Sequence, residues 1–260
     1  MRLPATSAAN ILLLDAGKKF VKINQFGTPG VLQVQSVLNR ANEATIIQNT
    51  AAAQPTWSSN GLQATYAWRN NPGTTQATPP GQPAIMFASA SSQYLEYDAL
   101  ATSFSGTETP FTIVSLYSCS TPSSGTNTIW SATASGSATP ILSLHATGGN
   151  IVFTETSSGG TITATAATDT NAHVVTCTRT GTNITLRVDG AQVATTAIAS
   201  PASQTYTAFC IGSQNFTSNT NFFNGAIHTV AAYLGVADID EVEAYLLLRA
   251  GIQRGNVFNS

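Results

Sequence analysis

Two short clusters in this chain carry side chains that could do chemistry. Tyr66-Ala67-Trp68 alternates and, through Arg69, runs straight into a Pro- and Gly-rich loop. Exposed rings with polar tips and polar neighbours suit the apolar faces and hydroxyls of sugars, so these three are the candidate carbohydrate-binding residues. Trp57 and Trp130 are read as core, because large aromatics dominate cores. The second cluster is Glu96-Tyr97-Asp98. A retaining glycosidase holds its carboxyl groups roughly 5–5.5 Å apart, and same-face neighbours on a strand are alternate residues. A Glu-x-Asp-x-Glu run would meet that need, but this chain continues Ala99-Leu100. No catalytic residue is assigned.

The remaining reactive types are scattered. His145, His173 and His228 form no helical i,i+4 pair and have no Cys at zinc-type spacing. They are read as strand residues on solvent or interface faces. No Gly-x-Ser-x-Gly elbow is present. A calcium site wants about 6–8 oxygen ligands. Asp15, Asp98, Asp169 and Asp189 lie in or beside loops, but none clusters with another in sequence. The expectation is no metal and no cofactor, with calcium kept as the alternative. Cys119, Cys177 and Cys210 make an odd count, each inside a predicted strand, and are read as free buried thiols. Asn183-Ile-Thr185 and Asn215-Phe-Thr217 match the N-glycosylation pattern by chance in an Asn- and Thr-rich chain.

Composition narrows the classes. The chain has 260 residues and only 8% charged residues, against about 25% in an average soluble domain. Thr, Ser, Asn and Gln replace the missing charge on the surface. Net charge is −2 and no Lys/Arg run exists, so the basic footprint that phosphate binding needs is absent. No apolar stretch approaches the roughly 20 residues of a membrane span. The start holds only the short apolar run Ile11 to Leu14, where a secretory core needs about 7–15 residues. No signal peptide is expected.

The elements that must position these residues are short strands. Alternation or apolar runs mark Ile11 to Asp15, Val31 to Leu38, Ala44 to Gln48, Ala84 to Phe87 and Tyr94 to Tyr97. An extended segment begins at Gln54-Pro55. Residues 69–83 (RNNPGTTQATPPGQP) form the longest loop, an exposed insertion and candidate contact surface. Phe111 to Cys119 is long and apolar, hence central. Thr128 to Ser131, Ile141 to His145, Ile151 to Thr156 and Thr161 to Ala166 follow, with Gly-Gly pairs at 148–149 and 159–160 as turns. His173 to Arg179, Ile184 to Val188, Gln192 to Ala197, Tyr206 to Ile211 and Gly225 to Leu234 complete the series, with Asp189-Gly190 the strongest hairpin signal. A closing helix is predicted over 238–250, with Asp238 as N-cap and Asp240, Glu241 and Glu243 as solvated acids in its first turn. Gly251 is its stop.

In that order the segments resemble a known family. LLLDA at 12–16, VQSVLNRANEATIIQNTAAAQPTW at 34–57 and AIMFASASSQYLEY at 84–97 are similar to its opening strands, with Ala88-Ser89 in the place of a common FDG turn. FTIVSLYSC at 111–119, HVVTCTRTGTNITLRVDGAQV at 173–193, FFNGAIHTVAAY at 222–233 and DIDEVEAYLLLRAGI at 238–252 look like its central strand, hairpin, last strand and closing helix. The family is the concanavalin A-like, laminin-G-like jelly-roll domains of bacterial secreted proteins and phage particle proteins. The resemblance implies an all-β, two-sheet antiparallel jelly-roll sandwich with a short C-terminal helix, built as one domain over 1–260.

The expectation that follows is a virion structural protein of a bacteriophage: a capsid decoration, head-fibre or tail-associated module acting by protein–protein binding. It would be a homo-oligomer, contact other virion proteins and assemble in the host cytoplasm. The alternative is a carbohydrate-binding adhesin or receptor-binding module that meets host-surface glycans. Neither reading is an enzyme, and neither involves nucleic acid or membrane.

Overall fold

A computed structural model describes residues 9–16, 21–24, 33–39, 41, 44–62, 82–134, 141–157, 160–197, 203–215 and 218–252. The strands in chain order are β1 (Ala9–Asp15), β2 (Val21–Asn24), β3 (Gln33–Leu38), β4 (Thr45–Ile47), β5 (Thr56–Leu62), β6 (Gln82–Phe87) and β7 (Leu95–Glu96). After the short helix α1 (Asp98–Ala101) come β8 (Phe111–Cys119), β9 (Thr126–Thr133), β10 (Ile141–Thr147), β11 (Asn150–Ser157), β12 (Gly160–Ala167) and β13 (Ala172–Thr180). Then follow β14 (Asn183–Val188), β15 (Ala191–Ala197), β16 (Ala208–Ile211), β17 (Gln214–Asn215), β18 (Asn219–Thr220), β19 (Gly225–Leu234) and the helix α2 (Asp240–Ala250).

Turn chemistry sets the hairpins. Gly148-Gly149 joins β10 to β11 at φ 57° and 78°, and Asp189-Gly190 joins β14 to β15 at φ 52° and 84°. Two positive φ values in a two-residue loop are what a type I′ hairpin requires. The Asp189 side chain adds a tertiary role, accepting the Val174 N–H at 2.9 Å.

The ladders form one long antiparallel sheet folded over on itself. Its first layer runs β1–β19–β8–β13–β14–β15, with β6 beside the first residues of β19. Its second layer runs β7–β16–β9–β10–β11–β12. The strands β5, β3 and β4 carry the hydrogen bonding from β6 round to β7. At the other edge, Thr196 of β15 donates to the Thr163 carbonyl of β12 at 3.2 Å, so the jelly roll is curled nearly closed. The N-terminal strands therefore belong to the same sandwich as the later ones.

Alternation along β8 shows what each layer buries. Phe111, Ile113 and Tyr117 point inward, against Trp130, Leu144, Phe153 and Phe209 of the second layer. Trp130 stacks on Phe209 with centroids 6.4 Å apart and planes 11° apart. Val114 and Leu116 point the other way, against Val242, Leu246 and Leu247 of α2. β8 is thus covered on both faces, which is why its residues are buried almost throughout. Fully burying one such side chain contributes about 1.5–3 kcal/mol.

The helix differs from its sequence expectation at its start. It begins at Asp240, and the capping position is Ile239, with no side-chain cap. Asp238 is exposed and is not the cap. Glu243 is not a solvated acid. It is 1% exposed and accepts hydrogen bonds from Thr176 Oγ1 at 2.6 Å and from Arg187 Nε and Nη2 at 2.9 and 2.8 Å. A buried carboxylate needs such partners, and here they moor α2 to β13 and β14. The stop stands as expected: Gly251 has φ 71°, and the Ile252 N–H reaches back to Leu247 O at 2.9 Å. The predicted loop 69–83 is shorter at its end, because Gln82 and Pro83 already belong to β6; residues 69–81 lie outside the described residues.

Candidate functional site

The second layer leaves its outer face to polar side chains. Leu95, Ile211, Trp130, Leu144 and Phe153 point into the core. Their neighbours Glu96, Cys210, Ser131, Ser143, Thr154 and Thr163 pair strand to strand as one outward row. With strands about 4.7–4.9 Å apart, the row spans roughly 24 Å.

Residues 212–215 and 218–224 cross this row. Gly212 starts the crossing at φ 87°, with its N–H on Ile129 O at 2.9 Å and its carbonyl taking the Phe223 N–H at 2.8 Å. The β17–β18 hairpin then lies on the sheet. Ser131 Oγ donates to Ser213 O at 2.8 Å, and Thr133 Oγ1 donates to Asn215 O. Asn219 Oδ1 accepts Ser213 Oγ at 3.0 Å, while Asn219 Nδ2 donates to Glu96 Oε1 at 3.4 Å. Asn221 Nδ2 donates to Gln214 Oε1 at 2.5 Å. The hairpin buries Ser131, Ser143 and Gln214 and leaves Asn221 exposed.

Chain alternation then brings two aromatic rings to the hairpin's end. Phe223 is buried, 6.1 Å from both the Phe87 and the Tyr117 rings. Its neighbour Phe222 is turned outward and half-buried. Leu95 is likewise buried, so Tyr94 and Glu96 flank it on the opposite side. The Tyr94 and Phe222 rings meet at 6.2 Å with a 39° tilt. Ile47, 38% exposed, pairs with Glu96 from the neighbouring strand. The result is a patch of two partly open rings and one aliphatic side chain, beside a carboxylate and two amides.

The charges follow from burial. Burial raises the Glu96 pKa, the hydrogen bond from Asn219 opposes that, and the charge of Asp98 adds to it. Asp98 Oδ1 accepts the Phe209 N–H at 3.1 Å. Burial pushes His145 down to about 4, so it is neutral at pH 7; its Nδ1 lies 3.3 Å from Ser143 Oγ. Burial raises the Cys210 thiol far above its ordinary value, with Glu96 adding to the shift, so it is no nucleophile. Such a surface offers neutral donors, one carboxylate acceptor and ring faces. It suits reversible recognition of a hydroxyl-bearing ligand.

The residues singled out from sequence fall in several places. Tyr66, Trp68 and Arg69 lie outside the described residues. Trp130 is fully buried, as expected of core, and Trp57 is half-buried, packing on the core and donating to Ala16 O at 2.6 Å. Glu96 and Asp98 do not share a strand, because the chain turns into α1 after β7. The three cysteines are free and buried. His228 lies buried under α2, its Nδ1 2.6 Å from Thr229 Oγ1 and its Nε2 3.3 Å from Arg249 Nη2. Among the described residues no three His, Cys, Asp or Glu side chains are grouped to hold a metal ion, and no helix is long and apolar enough to cross a membrane. Tyr94 and Phe222 were not marked by sequence. The signal was the density of Asn, Gln and Ser in GSQNFTSNTNFFNG at 212–225, far above a plain connector.

Asp169 and Asp189, remote in sequence, converge on one imidazole. His173 Nδ1 lies 2.8 Å from Asp189 Oδ2 and its Nε2 3.0 Å from Asp169 Oδ1. Burial lowers the His173 pKa, but the bonds and charges of Asp189 and Asp169 outweigh it and leave it raised. Asp169 is held low: burial would raise it, but hydrogen bonds from Asn171 and His173 prevail. The sign follows from linkage. The histidine's contribution is complete below its unfolded pKa and fades as pH rises through the raised folded one. The aspartate's contribution fades only as pH falls through its lowered one. The Tm advantage of the protein over its His173→Gln variant is therefore expected to be larger at pH 6 than at pH 9. Equal Tm differences at the two pH values would contradict this pairing.

Comparison with known proteins follows the geometry. A family model described as the concanavalin A-like lectin/glucanases superfamily matches residues 89–243. The botulinum neurotoxin serotype C1 binding domain superposes with a TM-score of 0.54 at 13% identity, over 93% of this chain and 52% of that one. The binding domain of serotype D/C VPI 5993 gives 0.50 at 10% identity, over 93% and 52%. The CBM40 module of Ruminococcus gnavus IT-sialidase, bound to alpha2,3 sialyllactose, gives 0.49 at 16% identity, over 63% and 94%. At these identities the likeness is one of fold, and the chain spans about half the length of the neurotoxin binding domains. No curated protein matches it in sequence.

Proposed function

The chain belongs to the concanavalin A-like lectin/glucanase superfamily, and from that premise we propose that it is a non-catalytic carbohydrate-binding module. The observation that carries the reading is the Tyr94–Phe222 ring pair, half-buried beside Glu96, Asn219 and Asn221. Sugar rings present apolar C–H faces and a rim of hydroxyls. The aromatic faces take the first, and the carboxylate and amides take the second. Binding sites of this kind are mostly apolar with a few placed polar groups.

The carboxylates support the non-catalytic part. Glycoside hydrolysis needs two carboxyl groups facing one bond. Asp98 has an oxygen engaged by the Phe209 N–H. Glu155 is 1% exposed and paired with Arg179 in the core. Among the described residues Glu96 is the carboxylate at the patch, where it serves as an acceptor.

The test is titration with a glycan panel, by calorimetry or array. Phe222→Ala and Tyr94→Ala are each expected to weaken binding at least tenfold, about 1.4 kcal/mol, with thermal unfolding confirming an intact fold. No binding by the unaltered protein at millimolar glycan would end the proposal.

A second reading, a phage particle protein acting by protein contact as a homo-oligomer, is favoured by another observation. Val193 on the edge strand β15, Val236 and Leu248 are 43%, 50% and 66% exposed, and the three thiols are buried and unpaired, as in a protein assembled in reducing cytoplasm. Co-sedimentation with purified particles tests it.

A further inference from the structure

We infer that the ligand of this site is an uncharged, hydroxyl-rich glycan, and that sialylated or otherwise acidic sugars are turned away. The inference rests on the carbohydrate-binding reading and concerns the same patch.

Its basis is the charge built into the surface. Glu96 lies on the side of β7 that carries Tyr94, and its carboxylate oxygen accepts the Asn219 amide. The nearby charge acting on it among the described residues is a second carboxylate, Asp98, two residues further along the chain. A sugar stacked on the Tyr94 and Phe222 rings is brought beside Glu96, with the charge of Asp98 adding to the negative field there. A sugar hydroxyl there donates to Glu96 and gains a charge-assisted hydrogen bond. A sugar carboxylate there meets like charge in a partly desolvated setting, where repulsion is screened less than in water. The other polar groups at the patch, Asn219 and Asn221, are neutral amides. The outward row beyond the hairpin, Thr154 and Thr163, offers hydroxyls. These neutral groups serve hydroxyls and anions alike, so the discrimination comes from the carboxylate charge of Glu96, reinforced by Asp98.

The experiment uses matched pairs of oligosaccharides that differ only by a terminal sialic acid, with lactose and sialyllactose as the first pair. At low ionic strength the neutral member is expected to bind at least tenfold more tightly. Glu96→Gln, which keeps shape and an acceptor oxygen but removes the charge, is expected to shrink that ratio to threefold or less. Asp98→Asn, which retains an Oδ1 for the Phe209 N–H, is expected to shrink it by a smaller factor. Added salt lowers the ratio in the same direction. Equal or tighter binding of the sialylated member by the unaltered protein overturns this inference and leaves the glycan reading standing. Binding of neither member of any pair tested overturns both.

Discussion

Glu155→Ala is expected to destabilise the protein by about 3–5 kcal/mol, which for a domain of marginal stability is enough to unfold much of it at physiological temperature. Glu155 projects inward from β11 and Arg179 inward from β13, so their 2.6 Å contact joins the two layers through the core. Both side chains are 1% exposed. Burial raises the Glu155 pKa and the Arg179 charge pulls it back, the balance of a charge that depends on its partner. Removing the carboxylate leaves a guanidinium with no counter-charge in a dry interior. Arg179 Nε keeps only the Gly181 carbonyl at 3.4 Å. The pair itself need not be strongly stabilising. Replacing both residues with methionine is expected to cost far less than the single change, since buried pairs exchanged for apolar side chains are often neutral or better. A denaturant-melt double-mutant cycle reads this directly. A loss under about 1 kcal/mol for Glu155→Ala would show that water reaches the pair and that the layers do not close there.

The strands were legible because their signals are local. Alternation, Gly-Gly at 148–149 and Asp189-Gly190 place β10, β11, β14 and β15 within two residues of their observed ends. The long, mostly apolar stretch Phe111–Cys119 marked a central strand, and β8 lies between β13 and β19. What stayed hidden depends on partners distant in the chain. Asp238 looks like a cap by residue type, yet the helix starts at Asp240, and Glu243 looks solvated until β13 and β14 are laid beneath it. The Asp169–His173–Asp189 cluster needs β13 to meet a hairpin tip. β7 ends at Glu96 and Asp98 opens α1, so two acids that spacing had placed on one strand lie on different elements. The ring pair of the candidate site is the clearest case. Tyr94 and Phe222 are unremarkable in their own segments and become a surface only when β16 carries the 212–224 crossing over β9.

That crossing hangs on one residue, so Gly212→Ala is expected to damage stability and binding together. Gly212 has φ 87°, a region that costs an L-residue roughly 1–2 kcal/mol. A Cβ there would stand 2.6 Å from the Phe87 ring and 3.3 Å from the Gln93 carbonyl. Phe87 is 3% exposed and packs edge-on against Phe223, so it has no room to retreat. Overpacking of this kind adds about 1–3 kcal/mol. Together these predict a Tm drop of about 5–15 °C in a domain of this size. The displaced Phe87 pushes on Phe223, and Phe222 moves with it, so glycan affinity is expected to fall at least tenfold. Gly125→Ala separates the two causes. Gly125 also has positive φ, at 67°, but an added Cβ there meets nothing within 4 Å. It is expected to cost only the conformational part and to leave binding unchanged. If Gly212→Ala matched Gly125→Ala in both Tm and affinity, the 212–224 segment would not be held by this packing, and the ring pair would owe its position to something else.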